Sequence, residues 1–214
     1  MGLQSRERSR LSCIILGADP VRRALYILGM APAAWSFYRG LTGQLGIDPQ
    51  NVLERALGLW ALRFLIASLA ITPLRQLGGP NLVRYRRTVG LLAFYYAALH
   101  FAVYMLFDKG LDVAAIVADI ARRPYITIGM LAFIVLIPLA ATSNTTMIRR
   151  LGSNWRRLHR LVYLSAVAAA LHFVMLTKVW EIEPLIYAAI IGGLLLVRIN
   201  FGARLGSVRS DRVP

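Results

Sequence analysis

Cysteine is nearly missing from this chain. Cys13 stands alone, which excludes an internal disulfide and any CxxC or CxxCH site, and with the latter a covalently attached haem. Histidine is almost as scarce, at His100, His159 and His172 only. There is no dinucleotide fingerprint of the GxGxxG type, and no appended flavin or nicotinamide domain is read, so the chain is not expected to oxidise a nicotinamide itself. Charge is thin, at 16% of residues against roughly 25% in an ordinary soluble domain. No convincing internal repeat stands out. The apolar stretch 11–18 (LSCIILGA) is too short to span a bilayer, and Arg10 stands three residues before Cys13, so a cleaved signal peptide is not expected.

What is present is apolar. Hydrophobic residues make up 57% of the 214, where a soluble domain has about 45–50%, and several runs approach the roughly 20 residues needed to cross a bilayer. Six spans are expected, at about 22–39, 53–71, 88–107, 125–142, 159–178 and 184–201. Thr72-Pro73 should stop the second, Pro138 should kink the fourth, and Pro184 suits the first turn of the sixth. The expected fold is an all-α integral membrane protein, a six-transmembrane-helix bundle over 22–201 with tails at 1–21 and 202–214.

The net charge of +15 does not argue for nucleic acid, because the arginines flank the spans. Eighteen basic residues fall in the N-terminal tail, the second and fourth connections and the C-terminal end, and six fall on the opposite side. By the positive-inside rule both termini are cytoplasmic, as an even number of spans requires. The loop expected at 108–124 and residues 178–183 then form outward-facing surface, open to a partner.

In that topology the third and fifth spans run the same way. His100 lies 12 residues beyond Thr88 and His172 lies 13 beyond His159, so each stands roughly 18–20 Å from the cytoplasmic face. Ionisable groups at such depth are costly and usually functional. Two neutral imidazoles at matched height on facing helices can hold haem iron from both sides, which puts haem between helices 3 and 5. Zinc is the rival, but no Cys, Asp or Glu is expected near either histidine to complete a tetrahedron of four ligands. The bland alternative is that each imidazole only bonds a neighbouring helix. His159, among Arg156, Arg157 and Arg160, points some 140° from His172 on an ideal helix. It is either an interfacial histidine or a secondary ligand for haem or flavin. Arg63, about ten residues into the second span, should face the bundle interior and pair with an anion, for which a haem propionate is preferred. The arginines from 149 to 160 are mainly topology determinants that could also take a cofactor phosphate. Trp35, Trp60, Trp155 and Trp180 suit interface anchors.

The segments 59–79 (LWALRFLIASLAITPLRQLGG), 85–101 (YRRTVGLLAFYYAALHF) and 142–173 (TSNTTMIRRLGSNWRRLHRLVYLSAVAAALHF) resemble the MsrQ family, formerly YedZ, of the ferric-reductase-like transmembrane superfamily. The likeness runs over about 22–201. It implies b-type haem held by His100 and His172, FMN as a further cofactor, and residence in the bacterial inner membrane. It also implies electron transfer from membrane quinones to a periplasmic molybdopterin partner, MsrP, which reduces methionine sulfoxide in oxidised proteins and so restores their apolar side chains. The lack of a fourth histidine puts a symmetric two-haem path in doubt. The competing classes are a cofactor-free transporter or assembly factor, and a stand-alone haem-dependent metal or quinone reductase.

Overall fold

The computed structural model describes residues 20–176 and 181–210, and every regular element among them is helical. The helices are α1 (Pro20–Leu41), α2 (Pro49–Gln76), α3 (Arg86–Val103), α4 (Val113–Arg122), α5 (Pro124–Ala141), α6 (Thr145–Leu151), α7 (Ser153–Leu158), α8 (Val162–Leu176) and α9 (Ile182–Ser210). A 3₁₀ turn, Val83–Tyr85, leads into α3, and a wide π turn, Tyr104–Asp108, ends it. Of the tails proposed at 1–21 and 202–214, residues 1–19 and 211–214 lie outside the described residues, as does Trp180, whereas 202–210 are not a separate tail but continue α9.

Helix starts follow local chemistry. The side chain of Asp48 caps α2 by accepting from Asn51 N, and Pro49 opens the helix where no N–H is needed. Asp112 caps α4 through Ala115 N at 3.0 Å, and Asn144 caps α6 through Met147 N at 2.8 Å.

Four helical segments are long and apolar enough to cross a membrane among the described residues: Pro49–Gln76, Val83–Asp108, Pro124–Ala141 and Ser153–Leu176. α5 shows why they do not belong in water. Its buried residues are Ala132, Leu136 and Leu139, a narrow stripe at helical spacing, while Leu131, Ile134 and Ile137 are exposed. A helix apolar all round is one that lipid surrounds.

Two layers of core hold the bundle. One joins Leu62, Leu65 and Leu69 of α2 to Ala93, Leu136, Ala166, Ala170, Phe173 and Ile191. The other joins Ala33 of α1 to Leu53, Leu57, Tyr96 and Val103. Lipid tails are as apolar as leucine, so close packing rather than exclusion from water holds such helices together. Tyr96 does this with a polar atom. Its hydroxyl accepts from Ala33 N at 2.9 Å and donates to Gly29 O at 2.7 Å. Gly29 O and Ala33 N are the pair that would bond each other in an uninterrupted helix. The hydroxyl is thus inserted into the α1 ladder, and Tyr96 is completely buried.

Three expectations are corrected. α2 does not stop at Thr72-Pro73 but continues to Gln76. Proline in a helix displaces the carbonyl four residues back, here that of Leu69, and Arg198 Nη2 donates to it at 2.8 Å. The connection 108–124 is not a loop but holds the ten-residue α4. The fifth span is not one ideal helix from His159. The chain runs through α7 and a 3₁₀ turn, His159–Leu161, before α8 begins, so an angle read off a continuous helix does not describe the relation of His159 to His172.

Candidate functional site

α3 and α8 bring His100 and His172 together. Their ring centroids are 6.3 Å apart and the ring planes are inclined at 75°. Each Nδ1 lies against a backbone carbonyl, His100 on Glu54 O at 2.9 Å and His172 on Tyr125 O at 2.7 Å. A carbonyl only accepts, so each Nδ1 carries the proton and each Nε2 keeps its lone pair. That is how metal-binding histidines are oriented elsewhere: one nitrogen donates to a fixed partner and the other faces the metal. Ligating imidazole nitrogens lie about 2 Å from a transition metal, and rings some 6 Å apart leave space for one ion between them.

Each ring also backs onto a glycine. A methyl group at Gly58 would sit 3.1 Å from His100 Nδ1, and one at Gly129 would sit 2.6 Å from His172 Nδ1. Gly58 is four residues after Glu54, and Gly129 is four after Tyr125. The two halves are therefore built alike, with α2 and α3 making one and α5 and α8 the other. The pentapeptide Ala97-Ala98-Leu99-His100-Phe101 recurs as Ala169-Ala170-Leu171-His172-Phe173. Aligned on their glycines, α2 and α5 also share Ala61 with Ala132, Leu65 with Leu136, Ile66 with Ile137 and Ala70 with Ala141. The expectation of no internal repeat is corrected by this match. The doubled AALHF was visible in the sequence, whereas the supporting glycines sit in other spans and only packing assigns them.

The premise used against zinc is corrected as well. Glu54, distant in sequence, places Oε1 4.0 Å from His100 Nε2. No group of three or more His, Cys, Asp or Glu able to hold a metal ion occurs among the described residues, so a closed tetrahedral site is not formed.

Arg63 is not in the bundle interior as expected. It is exposed, its Nε donates to Tyr187 Oη at 2.8 Å, and its guanidinium lies 5.0 Å over the Trp60 ring. Trp60 in turn packs near Phe64 and Tyr96, which makes it part of the bundle more than an anchor. Tyr187 meets Phe173, the neighbour of His172, edge to face at 5.8 Å.

His159 stands apart. Its Nε2 is 3.1 Å from Thr142 Oγ1, its ring stacks at 4.0 Å on Trp155, and Trp155 Nε1 donates to Thr142 O. Near this end Arg198 donates to Tyr163 and to Leu69 O. Arg198 Nε, Tyr85 Oη and Gln76 Oε1 are buried there without a hydrogen-bond partner.

At the other end of the bundle a charged knot ties α4 down. Lys109 Nζ lies 2.9 Å from Asp119 and 3.0 Å from Asp108, Arg123 Nε lies 3.0 Å from Asp119, and Tyr104 donates to Asp119 at 3.1 Å. The hydrogen bond from Lys109 holds the Asp119 carboxyl below its ordinary value, and the same bond raises the Lys109 ammonium. Arg55 lies 3.2 Å from both Glu181 and Glu183, fastening the start of α2 to the start of α9.

Paired apolar hairpins with facing imidazoles define a class, and residues 57–182 match the family described as ferric reductase like transmembrane component. Proteins from Brucella ovis and Brucella suis, each named protein-methionine-sulfoxide reductase heme-binding subunit MsrQ, are 57% identical to this chain over 175 residues, which is 82% of this chain and 80% of the relative. The chain belongs to the MsrQ family, and it is a membrane protein.

Proposed function

We propose that the chain is a six-span b-type cytochrome of the bacterial inner membrane, with both termini in the cytoplasm. In this reading it passes electrons from membrane quinones to a periplasmic molybdopterin-dependent methionine sulfoxide reductase, MsrP. The observation that carries the proposal is the pair of imidazoles, 6.3 Å apart, each with Nδ1 held by a backbone carbonyl, which leaves each Nε2 with its lone pair. His100 and His172 would be the axial ligands, and bound haem would supply a one-electron carrier while the protein sets its orientation and potential. The relatives' name, a heme-binding subunit of a protein-methionine-sulfoxide reductase, supports the cofactor and a role beside a methionine sulfoxide reductase.

The remaining residues take roles around that pair. Glu54 O and Tyr125 O fix the imidazole tautomers. Arg63, already anchored through Nε, has its Nη atoms as donors for a haem propionate. The site lies near the ends where α2 and α5 begin, which face outward in this reading, and that position suits delivery to a periplasmic protein. For the FMN that the family resemblance implies, the candidate region lies away from His100 and His172. The opposite end, with Arg86, Arg198 and Tyr163 near His159, has the donor chemistry that a phosphate requires. His159 would border that region as a secondary candidate for flavin or haem.

The test is the visible spectrum of the detergent-purified protein, oxidised and dithionite-reduced, beside His100→Ala and His172→Ala. A reduced b-type α-band in the wild type, lost in both variants, is expected. A folded wild type that stays colourless after haem supplementation would overturn the reading in favour of a transporter or assembly factor.

A further inference from the structure

We propose that Gly58 and Gly129 are matched positioning residues, one behind each imidazole, and that they set the ring orientations of a duplicated half-site. The inference rests on the haem reading above.

Glycine is a poor choice inside a helix, because it loses more conformational freedom than alanine and adds no side-chain contact. It is retained where something must approach the backbone closely. In both half-sites the object that approaches is a histidine ring. At Gly129 an added Cβ would meet His172 Nδ1 at 2.6 Å, Cε1 at 2.9 Å and Cγ at 3.0 Å. The first two distances are shorter than real contacts allow and the third is at that limit, and because Cγ is the root of the ring, the whole imidazole has to shift. At Gly58 the corresponding distances to His100 are 3.1 Å to Nδ1, 3.2 Å to Cε1 and 3.7 Å to Cγ, which a small tilt can accommodate. The carbonyl that takes each Nδ1 proton belongs to the residue one turn earlier on the same helix. Glycine and carbonyl thus act together: the bare backbone admits the ring and the carbonyl fixes its rotation. The same arrangement in both hairpins, with AALHF repeated on the partner helices, makes coincidence a poor explanation. The contact distances rank the two positions, with Gly129 the stricter.

The test compares the wild type with Gly58→Ala, Gly129→Ala and Gly192→Ala by haem content, ferric electron paramagnetic resonance and redox titration. Gly192 is in α9, and a methyl there would meet nothing within 4 Å. The expected result is a low-spin bis-imidazole signal in the wild type and in Gly192→Ala, with Gly58→Ala shifted in g values and potential. Gly129→Ala should be further displaced, losing haem or gaining a high-spin fraction. Wild-type g values and potential in Gly58→Ala and Gly129→Ala, with haem intact, would overturn the inference and leave the bis-histidine reading standing. A colourless wild type would instead remove the reading itself. Should Gly129→Ala not assemble, Gly58→Ala decides alone, because its contact is mild enough for the fold to survive while the ring tilts.

Discussion

Arg198 Nη2 donates to the carbonyl of Leu69 at 2.8 Å, the carbonyl that Pro73, four residues on, cannot bond. One arginine from α9 therefore satisfies the defect that a proline makes in α2. Replacing it leaves that carbonyl short of a donor and removes one of the hydrogen bonds to the Tyr163 hydroxyl. Arg198→Leu is expected to destabilise the protein by about 1–3 kcal/mol, measured as a lower midpoint of thermal unfolding in detergent. The double variant Arg198→Leu with Pro73→Ala should recover part of the loss, and the absence of recovery would separate the two residues.

Tyr96 makes the opposite case. Its hydroxyl bridges Gly29 O and Ala33 N, but those two atoms can bond each other once it is gone. Tyr96→Phe is therefore expected to cost only about 1 kcal/mol or less, despite complete burial of the side chain. A loss of several kcal/mol in the same unfolding measurement would show that the α1 ladder cannot close.

The knot around Asp119 sets a pH window for α4. The folded carboxyl lies below its ordinary value of 3.8, so its contribution is present above about pH 4 and is lost as pH falls through the depressed value. Lys109 lies above its ordinary 10.5, so its contribution is present below that pH and is lost as pH rises through the elevated value. The protection of the α4 amides, exchange rates divided by the intrinsic rate at each pH, should be flat between these limits and fall outside them. Asp119→Asn should lower it at neutral pH.

Arg63→Leu is expected to weaken haem retention or shift the potential, while Arg63→Lys retains part of the effect through its charge. Redox titration and haem content check this. Unchanged values in Arg63→Leu would return the residue to its observed contacts with Tyr187 and Trp60 and nothing more.

The local features of this protein were readable in its residues. Four of the long apolar runs are helices long and apolar enough to cross a membrane, and the spacings that put His100 and His172 at one expected height agree with rings that meet at 6.3 Å. Each of these follows from helix geometry and from the cost of charge in lipid, both of which act along the chain. What depended on packing could not be read this way. Arg63 turned outward to Tyr187 of α9, Pro73 stayed within α2 because Arg198 reached it, and Glu54 came to His100 from another helix. The glycines behind the two rings matter only because each faces a histidine 42 or 43 residues further along the chain. Their meaning is a distance across an interface, and distances between helices exist only once the helices have packed.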